Sequence, residues 1–109
     1  MANIPKRLYT GQPTDTVSTL YTVPLNKKAI VKNIILCNTG VSDTKVTLYF
    51  TPSGMEAAPD NCVVSNYMVT HGDTVVIDLA GVLEAGDMIK GLQDTGGAIT
   101  VYASGIEVG

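Results

Sequence analysis

Few residues of this chain have the types that do chemistry, and their spacing is poor for it. The single imidazole, His71, lies in a His-Gly-Asp turn, and the two thiols, Cys37 and Cys62, belong to separate apolar segments. Zinc would need both thiols and a carboxylate gathered from different strands, with no CxxC or HxxxH spacing to announce it. Asp73, Asp78, Glu84 and Asp87 make the third quarter of the chain acidic. Calcium could use such oxygens, but they do not follow a DxDxDG pattern. Asp73 and Asp87 stand beside glycines, where a side-chain oxygen caps a turn. Gly91 and the Gly96-Gly97 pair could line a ligand, yet no GxGxxG or phosphate-loop pattern accompanies them. Between alternating strands, glycines supply positive φ or relieve crowding at bends. With no nucleophile beside a base and no positioned pair of carboxylates, the expectation is a non-enzyme that holds no metal and no cofactor.

Composition narrows the class. The chain has 109 residues, 45% hydrophobic and only 16% charged, with a formal net charge of -3. That fits one folded domain over residues 1–109 whose core needs no metal or disulfide. Sequence spacing leaves a Cys37–Cys62 disulfide open, but a reducing cytoplasm and a sufficient core favour two buried free thiols acting as small hydrophobes. Basic residues are scattered apart from the pairs Lys6/Arg7 and Lys27/Lys28, a poor footprint for displacing counterions from phosphates, so nucleic acid is not an expected partner. No apolar run approaches the roughly 18 residues of a membrane span or the length of a signal peptide. The protein is expected to contact no membrane and to be made in the cytoplasm of its producing cell.

Period-two alternation recurs along the chain, whereas a helical period does not. Val46, Leu48 and Phe50 share one parity against Lys45, Thr47 and Tyr49, so the first row is predicted to be core. Val17, Thr19, Tyr21 and Val23 form another such row. In Ala29 to Cys37 the apolar residues occupy both parities, interrupted by Lys32 and Asn33 side by side. A strand covered on both faces would explain this; a β-bulge that switches the buried parity from Val31 to Ile34 explains it better, because it turns both polar side chains outward. Further strands are predicted at Val63 to Thr70, Thr74 to Leu79, Met88 to Leu92 and Ile99 to Val108, with an edge strand at Arg7 to Thr10. The stretch Gly54 to Asn61 reads as one helical turn or an irregular loop. About eight short strands separated by Gly, Pro, Asn and Asp turns indicate an all-β fold, a single antiparallel β-sandwich of jelly-roll type.

Leu20 to Gly40, reading LYTVPLNKKAIVKNIILCNTG, and TLYF at Thr47 to Phe50 carry a resemblance. So do LEAGDMIKG at Leu83 to Gly91 and VYASGIEVG at Val101 to Gly109. In these segments, roughly half the chain, it resembles small β-sandwich virion proteins of tailed bacteriophages: capsid decoration, head-fibre or tail accessory proteins. The resemblance implies a structural subunit that attaches to head or tail as a symmetric homo-oligomer, a trimer being favoured. Its partners would be other virion proteins, its location the virion, its place of synthesis the bacterial host's cytoplasm. It brings no catalytic residue.

The expected interface residues are Ile4, Lys6, Arg7, Tyr9, Tyr49, Tyr67 and Tyr102. The first four belong to a segment, residues 1–9, read as an extended N-terminal arm whose Pro5 favours an extended path and whose basic pair would meet an acidic neighbour. Tyrosine is enriched at subunit contacts. The competing expectation is a carbohydrate-binding module that holds a host glycan on loop tips at Gly54 to Asn61 or His71 to Asp73. The lack of tryptophan, the best ring for stacking on a sugar, weighs against it.

Overall fold

The computed structural model describes residues 3–109. Eight strands follow one another: β1 (Asn3–Gly11), β2 (Ser18–Thr22), β3 (Lys28–Asn38), β4 (Thr44–Thr51), β5 (Cys62–Val69), β6 (Thr74–Leu83), β7 (Met88–Gln93) and β8 (Ile99–Val108). One 3-10 turn, Pro59–Asn61, interrupts the loop between β4 and β5. The strands form two four-stranded sheets, sheet A in the order β1-β8-β3-β6 and sheet B in the order β2-β7-β4-β5. Every pairing is antiparallel. Every consecutive pair of strands crosses between the sheets except β4 and β5, which are neighbours in sheet B, and the result is an eight-stranded jelly roll, the sandwich expected.

Ile34, Leu36, Val46, Leu48, Ile89, Ile99 and Val101 fill the space between the sheets and are almost completely buried. Each such aliphatic contributes about 1.5–3 kcal/mol relative to exposure. Val46 and Leu48 are core as expected, and Phe50 packs against the same cluster while half-buried. In β2 the single row is not kept. The register shifts between Thr19 and Tyr21, and Leu20 and Tyr21 both pack against the core while Val17 stays exposed.

The bulge in β3 is present. Its register shifts between Val31 and Asn33 against both neighbours, Lys32 is exposed, and the buried parity passes from Val31 to Ile34. It has company. β1 carries an extra residue, Leu8, opposite β8 between Ser104 and Ala103, and β6 carries Leu79 and Ala80 opposite Lys32. These irregularities fall at one level and bend the whole of sheet A there, as bulges do. Gly105 occupies the bend, and a Cβ on it would run into the carbonyl oxygen of Ile30, so only glycine fits.

β1 corrects the expected arm. It begins at Asn3, not Arg7, and pairs with β8 from Asn3↔Val108 to Gly11↔Val101. Residues 3–9 are therefore the outer strand of sheet A, because Leu8 and Tyr9 bring enough apolar surface to the core to hold the segment down. Met1 and Ala2 of that arm lie outside the described residues. β6 runs to Leu83, beyond the expected Leu79; Gly81 continues the strand because the ring of Phe50 lies where its Cβ would be, 2.6 Å from Cε2.

Candidate assembly interface

Pairing across sheet A fixes which side chains share its outer face. Arg7 pairs with Ser104, Ser104 with Asn33, and Asn33 with Asp78. Residues directly opposite in a sheet point the same way, so these four form one polar row across the sheet. The Ser104 hydroxyl donates to Asn33 Oδ1 at 2.6 Å. The row lies at the bend, since the bulge is what turns Lys32 and Asn33 outward together. Above it lies the row Thr10, Tyr102, Ile35 and Val76; below it lies Pro5, Ile106, Ile30 and Val82. Tyr102 is 37% exposed, Val76 57% and Val82 59%, so apolar side chains flank the polar row in the open.

The expected interface residues do not converge. Arg7 and Tyr102 share the outer face of sheet A, while Ile4 points to the inner side of β1 near one end and is 47% exposed. Lys6 does not wait for an acidic neighbour on another protein. Its ammonium donates to both oxygens of Glu107 at 3.1 Å. Tyr9 also turns inward, packs against the core, and has its phenol pushed up by burial. Tyr49 and Tyr67 belong to sheet B, on β4 and β5, with Tyr67 42% exposed at the sheet's edge. Tyr49 borders a shallow groove of about 410 Å³ with Thr47, Pro59, Ser65, Asn66 and Leu92.

Sequence reasoning missed the buried carboxylate. Glu107 lies on the inner row of β8, 4% exposed, and joins three strands: it accepts from Lys6 of β1 and, at 2.5 Å, from the Tyr21 hydroxyl of β2. The Tyr21 hydrogen bond and the Lys6 charge hold its carboxyl below the ordinary value of 4.5 despite burial, while burial and the carboxylate push the Tyr21 phenol far upward. The alternation Val101, Ala103, Gly105, Glu107 was the available signal.

The residues screened for chemistry serve turns. Asp73 Oδ1 accepts from the Thr74 amide, and the Asp87 carboxylate accepts from the amides of Ser53 and Glu84. His71 is exposed, and its amide donates to Asp43. Cys37 and Cys62 are free and half-buried rather than fully buried, in different sheets. Among the described residues, no three His, Cys, Asp or Glu side chains are grouped to hold a metal ion. The two loops considered for a glycan lie at opposite ends of β4, because Thr51 leads into one and Val69, beside Thr44, leads into the other.

The class defined by this architecture is the eight-stranded jelly-roll sandwich. No protein-family model matches the chain, and no curated protein sequence matches it either. Among solved structures it is similar to a protein of Bacillus endospore appendages, described as disulfide-linked pili, at 12% identity over 96% of this chain and 86% of that one, with a TM-score of 0.58. It is also similar to a chain of the T13 particle of infectious bursal disease virus, at 9% identity over 98% of this chain and 31% of that one, with a TM-score of 0.56. A chain of the Gx strain of the same virus gives 9% identity, 97% and 30% coverage, and a TM-score of 0.50. This chain spans about a third of those viral chains. At such identities the likeness is one of fold.

Proposed function

We propose that the chain is a structural subunit of a tailed-phage virion that attaches as a symmetric homo-oligomer, a trimer, to the capsid or tail. The observation that carries this reading is the outer face of sheet A, where Val76, Val82 and Tyr102 stand exposed on both sides of a polar row. A subunit contact would cover them. The fold supports it too, since the jelly roll is shared with proteins whose structures are described as viral particles and pili. In this reading the protein is not an enzyme and needs no cofactor. It is made in the host bacterium's cytoplasm, resides in the virion, and meets capsid or tail subunits rather than nucleic acid or membrane.

A second reading, a subunit of a surface filament, is favoured by one observation: the match to the pilus protein runs through 86% of that chain, whereas the viral chains are matched over about a third. Immunogold labelling of a producing culture separates the two. Gold on phage heads or tails is the expected result; gold on cell-surface filaments replaces the first reading by the second, and gold on neither removes both.

A further inference from the structure

The four sheet edges are not alike. β2 has five residues and a register shift, and β5 shifts register twice against β4 with Asn66 held at φ 46. Short and bulged edges resist the addition of another strand. Sheet A instead ends in β1 and β6, nine and ten residues long and each out of step with its neighbour at one level only. β6 points Val76, Asp78, Ala80 and Val82 outward, with one charge in its whole length. It is the edge least guarded against pairing.

We propose that β6 takes up β1 of a second copy of this chain, continuing sheet A head to tail, with Arg7 of the next copy opposite Asp78. This rests on the reading of the protein as an oligomer and gives that oligomer an edge contact, which leaves the outer face of sheet A open to other subunits of the particle. Three features carry it. First, direction: β1, β8, β3 and β6 alternate, so a copy moved sideways in the plane of the sheet brings its β1 antiparallel to β6, as every other pair is. Second, charge: Arg7 and Asp78 end the same row on opposite edges, and among the described residues neither forms an ion pair within the chain. Opposite charges facing each other across strands fix register. Third, shape: β1 carries its extra residue, Leu8, at the level of the bend, so it is already bent to follow a strand of this sheet. Pro5, which has no amide to donate, then falls opposite Ala80, where β6 has itself lost step with β3.

Each copy offers one β6 and one β1, so the contact is head to tail. It closes into a ring where the rotation per copy divides a full turn and grows into a filament where it does not. Main-chain hydrogen bonds along the two edges supply affinity, and the polar row of Arg7, Ser104, Asn33 and Asp78 runs on from copy to copy.

Sedimentation velocity over a concentration series of the full chain tests this, using Arg7→Asp, Asp78→Arg and the double exchange, with circular dichroism to confirm folding. Either single reversal is expected to raise the dissociation constant at least about tenfold, and the exchange to return it to within about threefold of the original. Association that ignores both single reversals overturns the β6–β1 contact and leaves the oligomer standing. A strictly monomeric wild-type chain overturns both. Hydrogen exchange on the same samples reads the edge directly: the amides of Thr74–Leu83 should gain protection on association, and unchanged exchange there sinks the proposal whatever the charges do.

Discussion

The two ends of the sandwich solve the same problem with different chemistry. At the end where β3 meets β8 through Asn38 and Ile99, the buried polar groups are neutral amides. The Gln93 side chain donates to the carbonyls of Pro13 and Ile99 at 2.7 and 3.0 Å and accepts from the Ile99 amide at 2.7 Å. Asn38 donates to the carbonyls of Ser42 and Val69 and accepts from the Gly40 amide. Both are 1% exposed, and each closes loops onto strands. The far end uses a carboxylate, Glu107, held by Lys6 and Tyr21. Among the described residues every buried side-chain nitrogen or oxygen has a partner, so neither end is defective. The difference is that the amide end is indifferent to pH and the carboxylate end is not. Buried polarity can staple a fold either way, but only the charged version ties it to solution conditions.

Exchanging the chemistries gives the largest expected effect. Asn38→Asp places a carboxylate against the carbonyl oxygens of Ser42 and Val69, and should cost about 4 kcal/mol at neutral pH because the charge is buried without a cation. Its folded-state pKa would be raised, so urea melts should show the loss shrinking as pH falls from neutrality towards about 4, with the charge penalty gone below that value. A variant equally unstable at low pH would mean that shape, not charge, decides that end. Gln93→Ala should cost about 3 kcal/mol, since two carbonyls and an amide lose their partner in a closed space.

Glu107→Gln keeps the shape and should cost about 2 kcal/mol, less than the amide-end changes because Lys6, 46% exposed, can turn to water. Its sharper readout is pH. The carboxyl is depressed in the fold, so its contribution is present above the ordinary value of 4.5 and lost as pH falls through the lower folded value. The glutamine variant should flatten that acid limb; an unchanged limb would place its origin elsewhere. Tyr21 works at the other extreme. Its phenol is raised, so its contribution holds below the ordinary value of 10.0 and declines as the unfolded chain ionises above it. Tyr21→Phe should cost about 1 kcal/mol and soften the alkaline decline, the smallest of these changes.

What the sequence makes legible follows from the range of each interaction. Alternation is local, so β4 and β8 could be traced, and the adjacency of Lys32 and Asn33 was enough to place a bulge in β3. Edge positions were harder. Asn3 to Lys6 shows no apolar row, because an outer strand buries little, and the segment passed for an arm. The strand expected to end at Leu79 runs on to Leu83, because Gly81 is a strand residue that leaves room for the ring of Phe50. The Glu107 cluster was beyond local reading: Lys6 lies 101 residues away and Tyr21 lies 86. A glutamate on an apolar parity says that a partner exists and not which one. Of the expected interface, only Arg7 and Tyr102 share the outer face of sheet A, because strand order, which period-two patterns do not encode, decides which rows become neighbours.

The position of β8 between β1 and β3 has a consequence for how the molecule is made. The last strand in chain order is a central one, paired on one side with the first. Until it arrives, β1 has no neighbour in sheet A, the inner residues Ile99, Val101 and Ala103 are missing from the core, and β3 presents a bare, apolar edge. Folding must therefore wait for contacts between distant parts of the chain, which puts this protein among the slow folders, on the millisecond-to-second scale. A nascent chain whose β8 has not yet emerged has two half-built layers and a strand edge ready to pair with whatever is near, so that interval is when aggregation competes with folding.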